Sequence, residues 1–208
     1  MRTALAVIDR DGVAGLSMRK LGAEMGVEAM AIYHHLPNKA ALFDGVVEHL
    51  WSEVKFAPPT AGLEWTEQLA VFMRSFRDIL WRHPRAVPIV GTRPAVTPGM
   101  LALLERALEL LTTAGLDAGE ALDLINCMAS FTVGHVLAEV GEPVGAPGVP
   151  PEQVYASLTA ESHPHLVGAI AAGYDYRPNE QFERGLRALI AGWAPASTPR
   201  EGTGSDHI

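Results

Sequence analysis

Among 208 residues the chain has one cysteine, Cys127. This excludes an internal disulfide framework and a cysteine-rich zinc site. The thiol falls in an apolar helical run and reads as a buried structural residue. Aromatic residues make up only 7% of the sequence. No basic-plus-apolar leader opens it, and no uninterrupted apolar run of about 18 residues occurs, so neither a secretion signal nor a membrane span is expected. A soluble, cytoplasmic protein is. No acid/base pair and no nucleophile beside an orienting partner stands out, and His83, His163 and His165 lie next to prolines or in loop contexts. The chain does not read as an enzyme. An excess of positive charge is also missing. The net charge is −8, which argues against a broad cationic surface for nucleic acid.

What is present is apolar and helix-forming. At 48% hydrophobic and 19% charged, the chain can bury a sizeable core. Its acidity is uneven. Residues 1–55 carry six Lys/Arg against seven Asp/Glu, a net −1, and residues 56–208 carry ten against seventeen, a net −7. Any DNA affinity in the front part then rests on a few placed cations and on helix N-termini.

Residues 17–39 read SMRKLGAEMGVEAMAIYHHLPNK. Ser17 suits a helix N-cap, and Leu21 and Met25 share a helix face. Gly26 suits the left-handed position that ends a helix. Val27 and Ile32 resume the apolar pattern over a second short helix at about 28–35, and Pro37-Asn38-Lys39 marks the break before a third. Two short helices across a tight turn form a helix-turn-helix, whose second helix enters the DNA major groove. Around it, a helix over 3–10 ends at Asp11-Gly12, and a longer one runs from Ala40 to about Val54 with Leu42, Val46, Val47 and Leu50 as its apolar stripe. A breaker-rich connector, 57–62, follows. Helices are predicted at about 65–83, 98–114, 119–140, 151–159, 165–173 and 179–193. Irregular chain is predicted at 84–94, and a Gly/Pro-rich loop at 141–151. The fold class is all-α: a helix-turn-helix domain over 1–54, a helical ligand-binding and dimerisation domain over 63–194, and a disordered tail over 195–208.

The segments GLSMRKLGAEMGV and AIYHHLPNKAAL closely resemble the DNA-binding domain of the tetracycline-repressor (TetR) family. GTRP at 91–94, SFTVGHVLAE at 130–139 and FERGLRALIAGW at 182–193 resemble the C-terminal half of the tetracycline repressor branch. The resemblance spans nearly the whole chain. It implies phosphate or base contacts at Arg19, Tyr33, His35 and Lys39. Ala29, Met30, Ala31 and His34 should face bases. They offer no bidentate Arg or Asn, so thymine methyl contacts and DNA shape are the expected readout. Glu28 could accept from cytosine N4 or simply favour the helix N-terminus. The resemblance places Thr92, Arg93 and Pro94 beside an effector pocket, as elements that move when ligand binds. Phe72, Phe76, Met100, Leu104 and Met128 are candidate pocket walls, equally readable as core. It also implies a homodimer through the helices at about 119–140 and 179–193, whose small residues Gly134, Gly185 and Gly192 permit close approach.

Departures from the branch are as informative. Where the tetracycline repressor uses a His and a Glu to bind magnesium, this chain has Ile89 or Val90 and Ala138. The branch's drug-contacting Asn falls on Phe72. Hard divalent cations need oxygen or imidazole ligands, so no magnesium–tetracycline site, metal or cofactor is expected, and His135 reads as core or interface. The implied function is a ligand-responsive repressor. It binds a palindromic double-stranded operator as a homodimer and is released by a small apolar effector. The alternative is a sequestering or scaffold protein with weak or lost DNA binding. The lack of the polar residues that usually precede the first helix keeps that alternative open.

Overall fold

Apolar residues at three- and four-residue spacing set the architecture in the computed structural model, which describes residues 1–56, 62–93, 96–141 and 148–193. Most of the predicted connector, Pro94, the 142–147 part of the Gly/Pro-rich loop and the predicted tail lie outside those residues. Among the described residues there are eleven α-helices and no strand. In chain order they are α1 (Arg2–Gly15), α2 (Met18–Met25), α3 (Ala29–Tyr33), α4 (Lys39–Ser52), α5 (Trp65–Arg82), α6 (Val87–Thr92), α7 (Pro98–Thr113), α8 (Ala118–Val140), α9 (Pro151–Ala156), α10 (Pro164–Ala171) and α11 (Pro178–Trp193).

Two local readings need correction. Gly12 does interrupt α1, with φ at 72°, but the chain then makes a further helical turn to Gly15. The stretch 84–94, expected to be irregular, is largely helical: a 3-10 turn over Pro84–Ala86 leads straight into α6. Pro84 and Pro88 occupy first-turn positions, where the missing N–H has no intrahelical partner to lose, so they start helices here and do not break them.

The long apolar helix α8 is the spine of the C-terminal part and packs against α5, α6, α7 and α11. Leu124, Met128 and Val136 are fully buried along it. Its 23 residues are long and apolar enough to cross a membrane by length and composition alone, although polar residues interrupt the apolar run. Its packing on four neighbours makes it a core helix. Helix α4 belongs to both parts of the molecule, since it packs on α1 on one side and on α6 and α7 on the other. It buries Leu42, Val46, Val47, Leu50 and Trp51. Each such burial is worth about 1.5–3 kcal/mol, against about 0–1 kcal/mol for an exposed ion pair. The apolar stripe therefore holds α4 in place, and the polar contacts choose its position. Elsewhere, two polar contacts fix α1 against the 3-10 turn: Asp9 Oδ2 lies 2.9 Å from His83 Nδ1, and Arg85 donates to the Arg10 carbonyl. The short helices α9 and α10 lie outermost, and no residue of α10 is buried.

Arginines clamp α5 to α8 and α11. Arg74 forks onto both oxygens of Glu183, at 2.7 and 2.8 Å, and holds that carboxyl below its ordinary pKa. Arg77 donates to Glu139 at 2.7 Å and lies over the Phe182 ring. Beside them His135 packs against the stacked pair Phe131 and Phe182, its side chain only 10% exposed. Its Nδ1 is 3.7 Å from Glu139, beyond hydrogen-bond reach, and neither ring nitrogen has a partner. Burial, then the Arg77 charge, push the imidazole pKa below its ordinary 6.5, against a smaller opposing pull from Glu139. The folded chain thus stays neutral at His135 where the unfolded chain takes up a proton. The stability this confers is complete above about pH 6.5 and declines as pH falls below it. We predict that His135→Phe, which keeps the ring contacts, loses less melting temperature than the parent protein between pH 7.5 and pH 5.5. Equal losses by circular dichroism would show that His135 titrates normally.

Candidate DNA-reading surface and effector cavity

The helix-turn-helix is built from its caps. Ser17 Oγ accepts from the Lys20 N–H at 3.1 Å and starts α2. Gly26 ends it in the left-handed region at φ 68°. The turn then closes tightly, because the Val27 N–H donates to the Gly22 carbonyl at 2.9 Å. A Cβ at Gly22 would meet the Val27 carbonyl oxygen at 2.7 Å and the Ala29 nitrogen at 3.2 Å. Gly22 is thus a second glycine the turn depends on, and it was not singled out in the sequence. Its only signal was a helix-interior glycine, which costs about 1 kcal/mol unless packing needs it. Asn38 Oδ1 caps α4 by accepting from the Ala41 N–H at 2.9 Å.

Helix α3 is held by one buried side chain, Ile32. Around it Met30 is 65% exposed and Tyr33 47% exposed. Ala31, His34 and His35 are exposed and Ala29 is half-buried. Ala31 and His35 border a shallow groove shared with Met25 and Leu36, while Met30 and Tyr33 do not. The helical hydrogen bonds extend to Leu36, whose N–H donates to the Ile32 carbonyl at 2.9 Å. Pro37 then disfavours further helix. Arg19 is exposed on the first turn of α2 and Lys39 on the first turn of α4, where each could meet a phosphate. The Lys39 ammonium lies 5.3 Å from the Phe43 ring centre. Seven of the eight sequence-nominated residues are thus exposed and Ala29 is half-buried, with Ala31 and His35 on the groove side and Met30 and Tyr33 away from it.

In the C-terminal part a cavity of about 580 Å³ opens between α4, α5, α6, α7 and α8. Of the nominated pocket residues, Phe72, Phe76, Arg93, Met100 and Leu104 line it. Thr92 does not; it faces a neighbouring cleft, and its hydroxyl donates to the Pro88 carbonyl at 2.6 Å. Met128 is fully buried behind the wall. Sequence reasoning missed Trp51, contributed by α4, which stacks on Phe76 at 4.1 Å between ring centres. It also missed Asn126 and Ser130 on α8. These fall on exposed helix positions, and only the three-dimensional arrangement shows that they border a cavity. The walls carry no carboxylate or imidazole, and no group of three or more His, Cys, Asp or Glu among the described residues could hold a metal ion. Asn126, Ser130 and Arg93 are a poor donor set for magnesium. His135, despite its unpartnered nitrogens, is not part of the wall.

Two polar contacts join the cavity's rim to α4. Arg93, just past the end of α6, donates through Nε to Asp44 Oδ1 at 2.6 Å, and its guanidinium lies 5.9 Å from the Phe43 ring centre. Glu48 accepts from the Gly99 N–H at 3.0 Å, placing a carboxylate at the N-terminus of α7, where the helix dipole favours it.

An all-α chain that presents a recognition helix on a helix-turn-helix and carries a separate, mostly apolar cavity is a DNA-binding regulator with a ligand-binding domain. Comparison with known proteins agrees. Residues 1–46 match the family described as bacterial regulatory proteins, tetR family, and residues 58–195 match the tetracyclin repressor-like C-terminal domain. The class A tetracycline repressor of transposon 1721 from Escherichia coli is 34% identical, over 93% of this chain and 88% of its own. An HTH-type transcriptional regulator of Saccharopolyspora erythraea is 31% identical, over 92% and 81%. Among solved structures, Streptomyces coelicolor ActR in complex with actinorhodin superimposes with a TM-score of 0.80 at 30% identity, covering 92% of this chain and 93% of that one. The chain belongs to the TetR family of transcriptional regulators, whose members are transcription factors and not enzymes.

The tight approach at Gly22 generates a prediction. Gly22→Ala should cost about 1–3 kcal/mol, the usual penalty for overpacking, and should lower DNA affinity by at least about tenfold as α3 shifts. Thermal unfolding and fluorescence anisotropy with a target duplex check both. An unchanged affinity would mean that the turn is not tight in solution.

Proposed function

We propose that this protein is a homodimeric repressor. Residues 1–54 bind a palindromic operator and residues 63–194 bind a small, mostly apolar effector that releases it. One observation carries the DNA-reading part. Met30 and Tyr33 stand at 65% and 47% exposure on a helix anchored only by Ile32, a costly display of apolar surface unless it meets a partner. Two recognition helices must reach successive major grooves on one DNA face, which calls for a second copy. Exposed Leu122 and Leu137 on α8, and Leu166 and Ile170 on α10, support such a pairing, with α8 and α11 as the central helices. That ActR is seen with actinorhodin supports an organic effector here. The apolar walls and the absence of a magnesium donor set argue against a tetracycline–magnesium chelate. The effector would act by preferring the dimer form that fits DNA poorly. The protein would work in the cytoplasm, where its DNA lies.

The test is binding to the DNA upstream of the protein's own gene. A protected region with two half-sites about one helical turn apart is expected, with two chains bound per site. Arg19→Ala should weaken binding regardless of sequence and make the salt slope shallower by about 1. Replacing half-site thymines by uracil removes the methyl groups that Met30 and the alanines would touch. It should cost about 0.8 kcal/mol per methyl, close to fourfold in Kd. Effector binding without any sequence-specific DNA binding would favour the sequestering alternative. A footprint dominated by G·C contacts would contradict the thymine readout.

A further inference from the structure

Arg93 is the cation on the cavity wall, and among the described residues its one polar partner is Asp44, through Nε alone. A guanidinium has five N–H donors in a planar fork. The terminal nitrogens therefore remain available to an acceptor oxygen inside the cavity. The other polar side chains of the lining are Asn126 and Ser130, and the remainder is aromatic, aliphatic or glycine. Asp44 belongs to α4, outside the cavity, with its side chain 45% exposed against 25% for Arg93. Two anions drawn to one guanidinium repel each other, so whatever strengthens one contact weakens the other. We propose that Arg93 recognises an anionic oxygen on the effector, a carboxylate, sulfonate or phenolate on an aromatic body, and that Asp44 is its built-in competitor. The inference rests on the reading of this cavity as the effector site. Occupation of Arg93 by such a group loosens the tie between α6 and α4, the helix that carries the DNA-reading head. Because the Arg93–Asp44 pair is partly exposed, the competition is modest. An exposed pair of this kind corresponds to at most about a fivefold change in affinity.

A matched pair of fluorescent probes tests this. 1-Anilinonaphthalene-8-sulfonate and N-phenyl-1-naphthylamine share one ring system and differ by the sulfonate. The sulfonate probe should bind the parent protein more tightly than the neutral one, and Arg93→Gln should abolish that preference. Asp44→Asn should tighten the sulfonate probe by about threefold to fivefold and leave the neutral probe unchanged. Ala129→Phe, which fills the cavity, should expel both; Leu104→Phe serves if the first variant does not fold. If both probes stay bound in the filled variants, the cavity reading fails. If filling expels both but Asp44→Asn leaves the sulfonate affinity unchanged or weaker, the cavity stands and the competition is overturned.

Discussion

The structure depends on one helix serving two neighbours. The apolar stripe of α4 closes the core beneath α1 with Leu42, Val46, Val47 and Leu50, while Trp51, on the same helix, forms part of the cavity wall against Phe76. A close-packed interior does not deform continuously; it shifts between discrete arrangements. A helix buried on both sides therefore cannot adjust at the cavity without adjusting at the head. Asp44 and Glu48 meet α6 and α7 from this same helix, so its polar contacts gather where the two parts join.

Charge explains why the front part needs these contacts to be well placed. With a net −1 over residues 1–55 and −7 over the rest, the protein lacks the cationic surface that holds many DNA-binding proteins on any duplex. In the proposed reading, affinity comes from a few exposed groups such as Arg19 and Lys39, from helix N-termini, and from the geometry of α3. On the proposed reading, a small change in how α4 seats α1, and with it the α2–α3 pair, then costs a large share of the binding. In a strongly basic protein the same movement would matter less. A sparse interface is easier to switch off.

Much of this was legible in the sequence, where local rules act alone. Ser17, Gly26 and Asn38 announce the ends of α2 and the start of α4, because caps and left-handed turns are decided by neighbours in the chain. The start of α6 was not legible. Pro84 and Pro88 at helix starts look the same, in sequence, as prolines that break helices. The cavity was half-legible. Periodicity says that Phe72, Phe76 and Met128 point inward, but it cannot say that Phe72 and Phe76 border a space while Met128 lies behind the wall. Trp51, Asn126 and Ser130 join the site only through packing between distant segments. Gly22 shows the limit from the other side: its need for no side chain comes from a backbone approach that the sequence does not display.

The coupling proposed through α4 is reciprocal by thermodynamic necessity: whatever weakens DNA binding from the cavity must itself be weakened by DNA. The most direct measurement titrates 1-anilinonaphthalene-8-sulfonate into the free protein and into protein saturated with its operator. The account predicts weaker probe binding to the operator complex, by the same factor by which saturating probe raises the operator Kd. Identical probe affinity in the two states, with both sites shown to be occupied, would contradict it.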